Sequence, residues 1–379
     1  MSVQKRIWKR NDGTTGVAWW VRWQEGERWR SATFARKKDA DALDTEIRRR
    51  RRLGTLALLD AGTETLDEYT SQVWAPAYAS QLQPKTQAVY AAVYDRHVSP
   101  TLGTVELRAI TPAIVTQLQA DRLRAGAGPP VVRKAIVVLG AILQTAAESG
   151  RIASNPVRLA KKRKLPERPE IVPLAPVTIE KLRARASPRD AVLLSVLAYA
   201  GLRPGEALAL RWADVRERTI LVERALALGG VKGTKTGRSR TVRLLSPLAA
   251  DLRQWRMRCG RPSDHELVFP GHDGKPWSES AYQSWRRRAF KRALTAAGIE
   301  HARPYDLRHS FASLLIQEGR SVVDVARQLG HSATMTLRVY GHVLDEFADA
   351  PQQNAEGAIL VARESSAAHR LHIAPGNGP

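Results

Sequence analysis

Two stretches far apart in the chain hold residues whose types suit one chemistry. GLRPGEALAL at 201–210 brings Arg203, while YDLRHSFAS at 305–313 and LGHSATMTLRVYGH at 329–342 bring Arg308, His331 and Tyr340. Two guanidiniums, an imidazole and a phenol can hold a phosphodiester while the phenol attacks it. A guanidinium is a planar fork of donors matched to phosphate oxygens, so two of them can clamp one phosphate and offset its developing charge. A tyrosine hydroxyl, with an ordinary pKa of about 10, needs such help to act as a nucleophile near neutral pH. Taken singly, each residue has a plainer use. Arg203 or Arg308 alone reads as a surface salt-bridge partner, His331 as a helix-start residue after a glycine, and Tyr340 as a packed aromatic.

Composition agrees with a polyanionic partner. The 379 residues include 60 Lys and Arg against 37 Asp and Glu, a formal net charge of +23. Such an excess draws nucleic acid by counterion release, with affinity that falls as salt rises. At 43% hydrophobic residues the chain can bury cores, and its length suits two or three domains. The single cysteine, Cys259, excludes an internal disulfide framework and fits a reducing cytoplasm. No apolar run approaches the roughly 20 residues of a membrane span. The opening MSVQKRIWKRNDG lacks the apolar core of a signal peptide. The expectation is a soluble, cytoplasmic, basic protein that associates with the nucleoid when bound to DNA.

The elements that must position these residues fall into segments. In 1–58, Trp8, Trp19, Trp20, Trp23 and Trp29 sit in alternating, glycine-broken sequence, which predicts a three-stranded sheet. A charged helix over 37–53 follows and ends in the arginine run 48–52 and Gly54. A basic β-ribbon can enter a DNA groove; the plainer reading is an aromatic interaction module. Residues 62–160 read as all helix, over 66–80, 84–95, 112–125 and 130–149, with Pro84, Pro112 and Pro130 in first turns. A basic linker, 161–172, precedes a mixed segment at 173–350. There a helix at 191–200 and strands at 219–224 and 240–245 flank the glycine-rich GGVKGTKTGRS. Helices are predicted over 247–258, 279–297, 305–318, 321–329 and 333–343, the last carrying Tyr340. Residues 351–379 are polar and rich in Ala, Gly and Pro, and are expected to form a flexible tail.

In their order and spacing these motifs resemble the tyrosine site-specific recombinases, the phage integrase family, along essentially the whole chain. Gly201-Leu-Arg-Pro-Gly-Glu is similar to the first arginine motif, Lys235-Thr-Gly-Arg-Ser-Arg to the hairpin lysine, and Leu307-Arg-His-Ser to the second arginine box. Leu329-Gly-His-Ser, followed nine residues after His331 by Tyr340, resembles the nucleophile box. HVSPTLGTVELRAITP at 97–112 resembles the helical core-binding domain, and the first segment the arm-type DNA-binding domain.

The resemblance implies the tyrosine recombinase fold. That is a small three-stranded β-sheet with a helix, an all-α core-binding domain, and a mainly α catalytic domain with a small antiparallel sheet. It implies that Tyr340 attacks the scissile phosphate, forms a 3′-phosphotyrosyl link and releases a 5′-hydroxyl. The phosphodiester energy is kept, so religation needs no ATP, cofactor or metal. Arg203 and Arg308 hold the nonbridging oxygens and Lys235, with Lys232 as a competitor, protonates the leaving oxygen. His331 donates to the phosphate, or orients it, and Glu206 and His309 support the contacting residues from behind. The implied partners are double-stranded DNA at attachment sites, three further copies in a homotetramer, a directionality factor and a host DNA-bending protein. The implied outcome is integration and excision of a mobile element; the alternatives are a chromosome-dimer resolvase and a non-catalytic DNA-binding relic.

One position departs from the family pattern. Tyr305 stands three residues before Arg308, where the family usually has histidine. A phenol can donate a hydrogen bond to phosphate but is a poor proton shuttle at neutral pH. Tyr305 is read as a neutral substitute donor, and His309 is not promoted to the missing base. His265 and His272, near Asp264, Glu266 and Asp273, give no recognisable metal-ligand spacing.

Overall fold

The computed structural model describes residues 3–9, 14–56, 59–161, 171–227, 230–233, 239–271, 273–347 and 351–373. Lys235, His272 and linker residues 162–170 lie outside the described residues. The chain divides into two units, Met1–Glu167 and Arg168–Pro379.

In the first unit, β1 (Gln4–Lys9), β2 (Thr15–Glu25) and β3 (Arg28–Phe34) form an antiparallel meander. Register pairs Arg6 with Ala18 and Val21 with Ala32. Because side chains alternate across a strand, Val21 and Trp23 reach a small core with Ala40 and Ile47 of α1 (Lys37–Arg52). The opposite face carries Arg6, Trp20, Arg22 and Trp29. There the Arg6 guanidinium lies 4.4 Å from the Trp20 ring centre, and that of Arg22 lies 4.4 Å from Trp29.

The rest of this unit is helical. It holds α2 (Leu66–Tyr69), α3 (Ala75–Ala77), α4 (Pro84–His97), α5 (Ser99–Leu102), α6 (Pro112–Arg124), α7 (Pro129–Glu148) and α8 (Pro156–Leu159). Thr65 and Glu68 cap α2 reciprocally. The single helix expected over 66–80 is interrupted by a wide π-type turn at Thr70–Trp74. Leu66, Tyr69, Leu107, Leu118, Leu139 and Ile142 form the core. Here one expectation is corrected. α7 is a 20-residue helix long and apolar enough, by length and composition only, to cross a membrane. Arg133, Lys134 and Gly140 hide the run in the sequence, and its Val132, Ala135, Val138, Leu139 and Ile142 are buried in this unit's core or against it.

The second unit begins with α9 (Pro176–Ala184), α10 (Pro188–Tyr199) and α11 (Pro204–Leu208). Next come β4 (Thr219–Val222), β5 (Arg224–Ala227), β6 (Gly230–Gly233) and β7 (Arg240–Arg243), paired as two antiparallel ribbons, β4 with β7 and β5 with β6. Then follow α12 (Ser246–Arg258), α13 (Glu279–Trp285), α14 (Lys291–Ala296), α15 (Asp306–Gln317), α16 (Val322–Leu329), α17 (Ala333–Glu346) and α18 (Ala355–Ile373). A second wide turn, Arg286–Phe290, splits the helix expected over 279–297. α10 is buried nearly all round and forms the centre of the core, with Leu248, Phe269, Phe311 and Leu315 packed about it.

The flexible tail expected over 351–379 is overturned for 355–373, which are α18. Ala355, Ile359 and Ala362, spaced to share one helix face, are buried, and the helix packs on α9. Arg363 donates to Asp251 Oδ2 at 2.6 Å and to Glu180 Oε1 at 3.3 Å. Burial of that stripe outweighs the weak helical signal of a polar, alanine-rich sequence.

Candidate active site

The site starts from two backbone turns. Gly201 takes φ +60 just before α11, a left-handed conformation that suits glycine, and a Cβ there would lie 2.5 Å from Phe311 Cδ1. Gly330 takes φ +64 and ends α16. These turns expose the carbonyls of Gly201, Leu329 and Gly330, and three arginine bonds use them. Arg308, on the first turn of α15 and 0% exposed, donates Nη1 to Gly201 O and Nη2 to Leu329 O. Arg203 Nη2 reaches Gly330 O at 3.3 Å. Leu329 and Gly330 are consecutive, so the two guanidiniums are held by neighbouring peptide units.

His331 follows directly. Its Nε2 lies 3.1 Å from Arg308 Nη2. A guanidinium can only donate, so Nε2 accepts and the neutral ring carries its proton on Nδ1, which is buried without a partner among the described residues. Burial, then the charges of Arg308 and Arg203, pull the His331 pKa down to about 4. Burial likewise lowers the Arg308 pKa, with Arg203 and Arg240 adding repulsion. A guanidinium this buried is costly without a counter-charge, and an anion brought to it would be correspondingly favoured.

Glu206 ties the cluster together. It accepts from the Arg203 backbone N–H at 2.9 Å and from Arg203 Nη1 at 2.8 Å. Arg240, the first residue of β7, donates Nη1 and Nη2 to its two oxygens at 2.9 and 2.6 Å. Burial opposes the charge on Glu206, but the hydrogen bonds and charges of Arg240 and Arg203 outweigh it and hold the carboxyl at about 2. Arg240 also donates Nε to Gln328 O at 2.8 Å, one residue before the carbonyl that holds Arg308. Arg240 is the site residue that sequence reasoning missed. Its signal was its place at the end of the Lys235-Thr-Gly-Arg-Ser-Arg run, one strand-start after the hairpin.

Tyr340 lies on α17 and is 0% exposed. Its Oη is 2.7 Å from Nδ1 of His309, the residue after Arg308. Burial raises the phenol pKa above its usual value. Burial also lowers His309 to about 4, a fall that Asp306 resists and that Arg308 and Arg303 reinforce. Tyr305 sits at the start of α15, 39% exposed, its ring edge-on to His309 with centres 5.5 Å apart. The structure thus brings Arg203, Glu206, Arg308 and His331 into one connected cluster with Arg240. Tyr305, His309 and Tyr340 form a second cluster, joined to the first through the Arg308–His309 peptide. Lys235 belongs to neither description, being outside the described residues.

The model of the phage integrase family matches residues 174–346, and that of the phage integrase N-terminal SAM-like domain matches 65–121. The prophage phiRv2 integrase of Mycobacterium tuberculosis strain CDC 1551 is 30% identical over 344 residues, 82% of this chain and 84% of its own length. The tyrosine recombinase XerC of Xanthomonas axonopodis pv. citri is 34% identical over 201 residues, 51% of this chain and 61% of the relative. Among solved structures, the Tn1549 transposon integrase in complex with transposon right end DNA superposes with TM-score 0.63 at 19% identity, covering 76% of this chain and 98% of that one. A lambda integrase tetramer bound to a Holliday junction gives TM-score 0.58 at 15% identity, covering 86% and 95%. The chain belongs to the phage integrase family, the tyrosine recombinases, and has their fold.

Proposed function

We propose that the chain cuts and rejoins double-stranded DNA at specific sites through a 3′-phosphotyrosyl intermediate, integrating and excising a mobile element. The observation that carries this reading is the pair of guanidiniums on consecutive carbonyls, Arg308 on Leu329 and Arg203 on Gly330, with His331 beside them. Arg203 and Arg308 bind the nonbridging oxygens of the scissile phosphate and stabilise the charge that grows there in the transition state. His331 supplies its free Nδ1–H to the same phosphate. Tyr340 is the nucleophile, and Lys235, carried on the segment between β6 and β7, protonates the departing 5′-oxygen. Tyr305 serves as a neutral donor in place of the usual histidine.

The domain roles follow the same reading. Residues 1–58 grip arm sites through the Arg6, Trp20, Arg22 and Trp29 face, 62–160 grip the core site, 161–172 link, and 173–350 with α18 carry catalysis. Four copies act on two duplexes in the cytoplasm, with a directionality factor and a host bending protein setting the direction. A second reading with the same chemistry is a chromosome-dimer resolvase. The cation–aromatic face of the first sheet favours integration, because simple resolvases generally lack an arm-binding module.

Covalent trapping tests the proposal. Purified protein meets nicked duplexes tiled from the DNA flanking its gene, beside Tyr340→Phe, and a denaturing gel is scored for a protein–DNA adduct. An adduct with the wild type alone supports the reading and maps the site. Tight, specific binding without an adduct supports the non-catalytic relic.

A further inference from the structure

Attack by Tyr340 requires its Oη to lose a proton, and the surroundings limit where that proton can go. Arg308 and Arg303 have no free lone pair. Asp306 is occupied by Arg303, accepting from its backbone N–H at 2.8 Å and from Nη2 at 2.9 Å. Nε2 of His331 accepts from Arg308. Tyr305 turns its ring edge-on to His309. The remaining group is the His309 imidazole, whose Nδ1 sits 2.7 Å from Oη, within the range for direct proton transfer.

From this geometry, and resting on the reading of Tyr340 as the nucleophile, we infer that His309 is the base that takes the Tyr340 proton. Sequence reasoning withholds from His309 the role left open by tyrosine at position 305; the contact with Tyr340 Oη, made only in the folded chain, is the reason to assign it. As Oη bonds to phosphorus, its proton moves to Nδ1 and the P–O5′ bond breaks, the leaving oxygen taking a proton from its own donor. In religation the 5′-hydroxyl gives its proton back to that donor as it attacks phosphorus, the P–Oη bond breaks, and the imidazolium returns its proton to Oη. Atoms and charge balance in both directions without a further reactant.

The packing supports this assignment. Arg308 and His309 are consecutive on α15, so one points into the carbonyl cradle while its neighbour, a third of a turn round, meets α17. Burial keeps His309 neutral at working pH, free to accept. Of the charged and titratable groups around the pair, Asp306 favours the imidazolium, Arg308 and Arg303 oppose it, and Tyr305 and His331 complete the set. A bound phosphodiester adds negative charge beside Arg308 and tips the balance toward the imidazolium. Tyr340 is fully buried at rest, so DNA has to part α17 from its cover enough to admit phosphorus while the Oη–Nδ1 bond persists.

Single-turnover cleavage of a nicked duplex tests the inference with His309→Asn, whose Oδ1 can accept the hydrogen bond but cannot carry the proton away. The expected result is a loss of about a hundredfold at pH 7, with a rate that climbs roughly tenfold per pH unit above 7 as solvent forms the phenolate. Placing 3,5-difluorotyrosine, a more acidic phenol, at position 340 restores most of that loss. A variant as fast as wild type overturns the inference, as does a slow one that responds to neither pH nor the acidic phenol, which marks a packing role. If His309→Asn loses DNA binding by gel shift, His309→Gln is read by the same criteria. A wild type that forms no adduct sinks the reading of Tyr340 itself; a normal wild type beside an unimpaired variant sinks only the role of His309.

Discussion

Arg240 grips both carboxylate oxygens of Glu206, at 2.9 and 2.6 Å, from a strand 34 positions further along the chain. Both partners are largely buried, so removing one strands the other. Arg240→Ala should lower stability by about 3–5 kcal/mol, read as a shifted urea midpoint, and should slow adduct formation because Gln328 loses its anchor beside the Arg308 cradle. A loss under about 1 kcal/mol would mean Arg203 alone satisfies Glu206.

The same pairing has an acid signature. The folded pKa of Glu206, about 2, lies below the ordinary carboxylate value. Its contribution is therefore complete above about pH 4.5 and is lost as pH falls toward 2. Glu206→Gln should be less stable than wild type at pH 6, and the gap should shrink steadily between pH 4.5 and 2. Parallel stability curves for the two proteins across that window would contradict the linkage.

The terminal helix should behave as part of the second unit's core. Ile359 is 0% exposed, and Ile359→Ala should cost about 2–4 kcal/mol. Arg363→Ala should cost about 1–3 kcal/mol, because Asp251 and Glu180 lose a charged donor. Thermal melts of the full chain decide this; two unchanged transitions would show that α18 undocks freely in solution.

Tyr305→His should keep or raise the single-turnover cleavage rate. The position is part-exposed at the start of α15, and an imidazole can donate to phosphate from there and carry charge as well. A large drop would give the phenol its own required role, through its edge-on contact with His309.

Much of this site was legible because local backbone demands accompany the chemistry. Gly201 and Gly330 must be glycine to turn the chain, and each sits within two residues of a functional side chain, so short motifs carry both signals. Tyr340 and His331 follow from the spacing of one helix start. Arg240 was not legible as a site residue because its contact is tertiary, made only when β7 runs beside α16. The His309–Tyr340 bond was hidden for the same reason, joining α15 to a helix 31 residues on. In the fold, the π-type turns at Thr70–Trp74 and Arg286–Phe290 leave no mark on an apolar pattern that continues through them. α18 was lost among small residues, though the spacing of Ala355, Ile359 and Ala362 was there to be seen.

The complete burial of Tyr340 bears on how such a protein lives on a chromosome. A chain with a charge of +23 meets DNA constantly, and nearly all of that DNA is the wrong sequence. On the reading of Tyr340 as the nucleophile, a phenol sheathed inside the fold lets those encounters leave the genome unbroken. On that reading strand scission is reserved for contacts strong enough to open the sheath, and the search itself does no damage.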